Sequence, residues 1–128
     1  MPDNAAFYWN ELITEEVDEA KKFYAAVLGW TIEEMKMPSG GTYTIAKMNG
    51  KPVGGIMNSA DVEDGDDMPS HWMSYIHVAD VDAAIAKVAK AGGEVLKPCF
   101  DVPGVGRIAI VEDPTGAVIG IMTAAPGP

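Results

Sequence analysis

The sequence predicts an α+β fold of two βαβββ modules in one chain, with curved mixed sheets that enclose a cleft. Three observations predict it. The chain has 128 residues, 48% hydrophobic and 22% charged, which suits a single domain over 1–128 able to bury a core without disulfides or metal. It also repeats itself. Residues 9–29 set over 73–93, an offset of 64, give five identities in 21 positions: Val17/Val81, Asp18/Asp82, Ala20/Ala84, Ala25/Ala89 and Gly29/Gly93. VGGIM at 53–57 set over VIGIM at 118–122, an offset of 65, agrees at four of five positions, and a loop insertion accounts for the extra residue. Finally, each copy shows a strand-like segment, a helical period and three further strand-like segments, in that order. Chance similarity between apolar strands is the bland alternative for the repeat.

Module 1 covers about 6–58. Its first strand is AFYWNELI at 6–13. Thr14 is placed to cap a helix, with Glu15 and Glu16 in the first turn, where carboxylates favour the positive end. Val17, Ala20, Tyr24, Val27 and Leu28 recur at helical spacing, and Gly29 can end the helix in a left-handed conformation. Strands are expected near 30–37, 42–48 and 52–58, with a turn in PSGG at 38–41 and a hairpin at Asn49-Gly50. A turn-rich acidic linker fills about 59–70. Module 2 covers about 71–123, with a strand at 71–78. Asp80 caps a helix carrying Val81, Ala84, Ile85, Val88 and Ala91, which Gly92-Gly93 stops. Strands follow near 94–98, 106–112 and 117–123, the last two joined by the turn DPTG at 113–116.

Composition excludes several functions. Asp plus Glu is 19 against 9 Lys plus Arg, a net charge of −10. That charge repels phosphate backbones and anionic lipid, so neither nucleic acid nor membrane is an expected partner. No apolar run approaches the ~20 residues of a membrane span. The start, MPDNAAFYWN, lacks a basic region followed by an apolar one, so no signal peptide is expected. The single cysteine, Cys99, excludes an internal disulfide and fits a reducing, cytoplasmic compartment.

FYAAVLGW at 23–30, ADVDAA at 79–84, AGGEV at 91–95 and EDPTGAVIGIM at 112–122 carry a family resemblance over nearly the whole chain. The chain resembles the vicinal oxygen chelate superfamily, which includes glyoxalase I, extradiol dioxygenases, and fosfomycin- and bleomycin-resistance proteins. Trp9 with Glu11-Leu12, Trp72 with Tyr75, PGVGR at 103–107 and DPTGA at 113–117 resemble its glyoxalase-like, "hydroxylase-like" branch. The resemblance implies a cleft that holds a divalent metal in the enzymes, and a homodimer. It says little about reaction, since one fold hosts many functions.

Projected through the repeat, the family's metal-ligand positions fall on Trp9, Met73, Gly55 and Gly120. Indole offers only an N–H, glycine has no side chain, and a thioether is soft. The neighbours Tyr8, Asn10, Trp72, Ser74, Ile119 and Ile121 add no His, Asp or Glu. The expectation is therefore no metal and no cofactor. Two glycines let another group approach the backbone, and Trp9 and Met73 add apolar, polarisable surface. Either an organic ligand uses that surface, or Trp9 and Met73 fill the former cavity as core.

Strand alternation puts Glu11 with Trp9, and Tyr75 and His77 with Met73. Glu11 and His77 are candidate base and acid, with Tyr75 a hydrogen-bond donor. A salt bridge for Glu11 and a structural role for His77 are the alternatives. Tyr43 is expected to face the same cleft. Arg107, after a glycine-rich turn, either binds an anionic group or bridges to surface acid. Met57 and Met122 match across the repeat and either line an adaptable pocket or fill core gaps. Cys99 has no nearby His and reads as a buried thiol, not a nucleophile. The acidic run at 61–67 lacks EF-hand spacing and reads as solvated loop.

The expected function is binding of a small organic molecule in a metal-free apolar cleft, as in bleomycin resistance. The expected ligand contacts are Trp9, Glu11, Tyr43, Gly55, Met57, Met73, Tyr75, Arg107, Gly120 and Met122. The alternative is a metal-dependent lyase or oxidoreductase of the glyoxalase or dioxygenase type with displaced ligands. Metal-free acid–base catalysis by Glu11 is a third reading.

Overall fold

The computed structural model describes residues 4–36, 42–61, 68–102 and 105–125. The chain runs β1 (Ala6–Thr14), α1 (Val17–Leu28), β2 (Thr31–Lys36), β3 (Thr42–Met48), β4 (Lys51–Asn58), then a 3-10 turn at Ser59–Asp61. It continues with β5 (His71–His77), α2 (Val81–Ile85), β6 (Glu94–Val102), β7 (Gly106–Glu112) and β8 (Val118–Ala124). The expected α+β class and the βαβββ order hold twice. Two compact units are formed, Trp9–Trp72 and Met1–Tyr8 with Met73–Pro128.

In the Trp9–Trp72 unit the strands lie in the order β2-β3-β4-β1. β1 and β4 are parallel, while β2/β3 and β3/β4 are antiparallel. A parallel pair needs a long crossover, and the stretch from α1 through β3 supplies it. In the other unit the order is β5-β8-β7-β6, with β5 and β8 parallel. The same path is thus traced twice. Glu11 pairs with Gly55 in one unit, as Tyr75 pairs with Gly120 in the other. Ile45 lies opposite Gly55, and Ile110 opposite Gly120. The helix ends, Gly29 and Gly93, keep the offset of 64, so the inserted residue enters between the helix and the third strand of the module.

The core of the first unit contains Leu12, Ile13, Ala46 and Ile56. That of the second contains Met73, Tyr75, Val81, Ile108, Ala109, Val111 and Met122. Gly29 ends α1 at φ 75°, its N–H donating to the Ala25 carbonyl at 3.0 Å. Asn49 and Gly50 turn the β3–β4 hairpin with φ of 53° and 78°, both in the left-handed region that such a turn requires.

Three local expectations are corrected. Thr14 is the last residue of β1, not the cap of α1; its hydroxyl accepts the Glu16 N–H at 3.1 Å, and Glu16 takes the cap position without a side-chain bond. The pairing of Thr14 with Asn58 in β4 holds it in the strand. The first helical turn accordingly carries Asp18 and Glu19 rather than Glu15 and Glu16. Second, regular α2 stops at Ile85. Beyond it the Lys87 and Val88 amides bond three residues back, to Ala84 and Ile85, both at 3.1 Å. Val81 is the one fully buried residue of α2, so packing does not hold the later turns to α geometry. Third, β6 extends to Val102, well past the expected 98. The PSGG turn at 38–41 and residues 62–67 of the linker lie outside the described residues.

Asp80 does cap α2, accepting the Ala83 N–H at 3.1 Å. Asp80→Ala is expected to lower stability by about 1 kcal/mol, read from a urea midpoint. In the DPTG turn, Asp113 Oδ1 accepts the Thr115 hydroxyl at 2.6 Å, the Thr115 N–H at 2.8 Å and the Ala117 N–H at 3.1 Å. These bonds, the Thr115 hydroxyl first, hold the Asp113 pKa below the usual carboxylate range. A folded pKa below the unfolded one gives stabilisation that is full above the unfolded pKa and is lost as pH falls through the folded one. The advantage of the native protein over Asp113→Asn should therefore be present at neutral pH and shrink below about pH 4. Paired thermal melts across that range check it.

Candidate functional site

The Trp9–Trp72 unit brings four of the expected residues together. Alternation along β1 puts Trp9 and Glu11 on one face, and parallel pairing sets Gly55 beside Glu11. Tyr43, on β3, lies one strand further out. With no side chain at Gly55, the Tyr43 phenol occupies the space over it; a Cβ built there overlaps the ring tip. The phenol is held at both ends of its chemistry. Its oxygen accepts the Trp9 indole N–H at 3.0 Å, and its O–H donates to Glu11 Oε2 at 2.8 Å. Glu11 is 8% exposed, while Trp9 and Tyr43 are half-buried. A carboxylate removed from water needs such donors. The result is an indole–phenol–carboxylate relay whose carboxylate is buried and whose two rings remain half-buried. Met57 lies two residues past Gly55 on the same strand face, half-buried.

The second unit assembles a different set. Met73, Tyr75 and His77 alternate along β5 and are 6%, 8% and 4% exposed. Tyr75 pairs with Gly120 and His77 with Met122. The Tyr75 ring covers Gly120 as the Tyr43 ring covers Gly55. Tyr8, not singled out from the sequence, packs its ring against His77 with centroids 5.6 Å apart. His77 Nδ1 is buried with no hydrogen-bond partner among the described residues. No local signal marks Tyr8, because the contact joins residues remote in sequence.

Arg107 lies elsewhere in that unit. Its guanidinium bonds both oxygens of Asp82, at 2.9 and 3.0 Å, and reaches Asp101 at 3.2 Å. Arg107 holds the Asp82 carboxyl below its usual range. Cys99, expected as a buried thiol, is only half-buried beside this cluster; burial, then Asp82, pushes its thiol pKa up, which suppresses the thiolate.

The donor set at the projected positions does not fit a hard divalent ion. The Trp9 N–H is directed at Tyr43, and the places of the two glycines are taken by Tyr43 and Tyr75. Met73 presents a buried thioether. Among the described residues no three His, Cys, Asp or Glu side chains converge. No helix among the described residues is long and apolar enough to cross a membrane.

A family profile described as "Glyoxalase/Bleomycin resistance protein/Dioxygenase superfamily" matches residues 6–121. A Mycobacterium bovis protein named as a glyoxylase, CFP32, is 39% identical over 97% of this chain and 46% of its own length. The anthracycline biosynthesis protein DnrV of Streptomyces peucetius is 32% identical over 88% of this chain and 45% of its own. The chain thus spans about half the length of the curated relatives it matches. Methylmalonyl-CoA epimerase from Mycobacterium tuberculosis shares the fold with a TM-score of 0.68 at 16% identity, over 98% of this chain and 93% of that one. A variant of the Streptomyces coelicolor epimerase, in complex with 2-nitronate-propionyl-CoA, aligns with a TM-score of 0.68 at 19% identity, over 97% of this chain and all of its own.

Proposed function

Since the chain belongs to the glyoxalase/bleomycin resistance protein/dioxygenase superfamily, we propose that it binds a small organic molecule without a metal ion, on the Trp9–Tyr43–Glu11 face. The observation that carries this reading is the relay itself. A buried carboxylate, a phenol and an indole are linked by bonds of 2.8 and 3.0 Å on one strand face. A flat ligand stacks on the indole and takes its orientation from the Tyr43 oxygen and Glu11. The hydrogen bonds leave both rings fixed before binding, which reduces the ordering cost. Met73, Tyr75, Gly120 and Met122 are the matching apolar positions within the other unit, where Met73, Tyr75 and Met122 are buried. Arg107, engaged with Asp82 and Asp101, contributes least. Glu11 and His77 are the groups with acid–base chemistry should the bound molecule also be turned over.

The relatives suggest the first probes: an anthracycline, a bleomycin-type glycopeptide, an acyl-CoA and a glyoxalase hemithioacetal. Tryptophan fluorescence is titrated with each, in the native protein and in Trp9→Phe, with Trp30→Phe and Trp72→Phe as controls. At least one probe is expected to quench emission, and Trp9→Phe alone is expected to abolish the response. Elemental analysis of protein purified without chelator is expected to find far less than one equivalent of metal. One equivalent of nickel, zinc, manganese or iron would instead establish the metal-dependent lyase or oxidoreductase. The same reading takes the protein as a cytoplasmic homodimer, which light scattering after size-exclusion chromatography checks.

A further inference from the structure

The repeat supplies an internal comparison at the helix N-termini. In the Met73–Pro128 unit this position is closed. Val81 is 1% exposed, Ala109 0%, and the Thr123 hydroxyl accepts the Val81 N–H at 2.9 Å while donating to the Val78 carbonyl at 2.9 Å. Asp80 caps the same helix end. In the Trp9–Trp72 unit the equivalents are Val17, Thr44 and Asn58. Val17 is only half-buried, and Asn58 turns its Oδ1 to the Ala60 N–H at 2.9 Å instead of to the helix. Glu16 provides no side-chain cap, so the first-turn N–H groups of α1 have no capping side chain.

A cavity of about 270 Å³ opens at that place, lined by Val17, Asp18, Lys21, Glu34, Thr44 and Asn58 among others. A helix-to-strand interface is ordinarily apolar and closed, whereas this one is mostly polar. Thr44 is 3% exposed, and among the described residues its hydroxyl has no hydrogen-bond partner. Lys21 is fixed by Glu34 at 2.6 Å and Asp18 at 3.3 Å. Thr44, Ile56 and Asn58 alternate with Tyr43, Gly55 and Met57, so this cavity lies on the opposite strand face from the relay.

We propose that this cavity is a second binding site, for a small neutral polyhydroxylated molecule. Two carboxylates against one ammonium leave the lining net negative, which disfavours phosphates and carboxylates. Lys21, Thr44 and the α1 N–H groups donate, while Asp18 and Glu34 accept. A polyol hydroxyl serves both kinds of partner at once. Val17 and Ile56 provide the apolar surface for its C–H face.

The test is a titration of isotopically labelled protein with glycerol, erythritol, glucose and inositol, against acetate and inorganic phosphate, followed by amide chemical shifts. At least one polyol is expected to move the Val17, Asp18 and Thr44 amides in the native protein, and acetate and phosphate are expected to leave them unmoved. Thr44→Val should weaken that polyol about tenfold, and Trp9→Phe should leave it unchanged while abolishing quenching at the relay. Failure of every polyol to move these amides overturns the site, and displacement by phosphate overturns the ligand class. The native-protein shifts decide even where Thr44→Val fails to fold. Because the relay is read by fluorescence and this cavity by amide shifts, either reading can fail without the other.

Discussion

Gly120→Ala is expected to be the most destabilising of the single substitutions considered, by about 3 kcal/mol in urea unfolding. The added methyl would overlap the Tyr75 ring at two of its carbons and stand 3.1 Å from its Cγ. Because the crowding extends to the ring's point of attachment, spinning the ring about its own axis gives no relief. The whole side chain has to leave its rotamer, and Tyr75 is 8% exposed with nowhere buried to go. Gly116→Ala is the control. Its Cβ meets nothing within 4 Å, although its φ of 92° is strained for any side chain, so it should cost only about 1 kcal/mol. Equal midpoints for the two variants would show that the Tyr75 ring is not confined.

Tyr43→Phe is expected to abolish ligand-induced quenching, or weaken it at least tenfold, and to cost about 1–2 kcal/mol of stability. The ring and its seat over Gly55 are kept, and one oxygen is removed. That oxygen accepts from Trp9 and donates to Glu11, so its loss deprives both partners of a bond at once. Fluorescence titration together with urea unfolding separates the two effects. A variant with lowered stability but native affinity would make the relay structural and sink its proposed role. Gly55→Ala supplies a second view. There the overlap is with the phenol tip, so the ring can swing aside as a unit, breaking the relay with less strain than at Gly120.

The residues show why some features were legible and others were not. Gly29, Asn49-Gly50, Asp80 and the DPTG turn were readable because each acts on backbone within a few residues of itself. Trp9 and Glu11 were readable as a pair because strand alternation needs only the strand. Thr14 misled, since it has a capping residue's chemistry but is drawn into β1 by Asn58, 44 positions away. The glycines at 55 and 120 signal a close approach to the backbone, because they carry no side chain. That the chain's own Tyr43 and Tyr75 make that approach was not visible.

The sequence by itself determined the order of strands and helices, their duplication and most of their ends. Those depend on hydrogen bonds and side-chain periodicities that close over short distances along the chain. Only the tertiary structure decided which rings cover the two glycines, how an indole and a carboxylate share one phenol, and why one helix end is sealed while its counterpart stands open. These depend on the pairing of strands distant along the chain, Glu11 with Gly55 and Tyr75 with Gly120, where a shift of one position would turn every side chain to the opposite face.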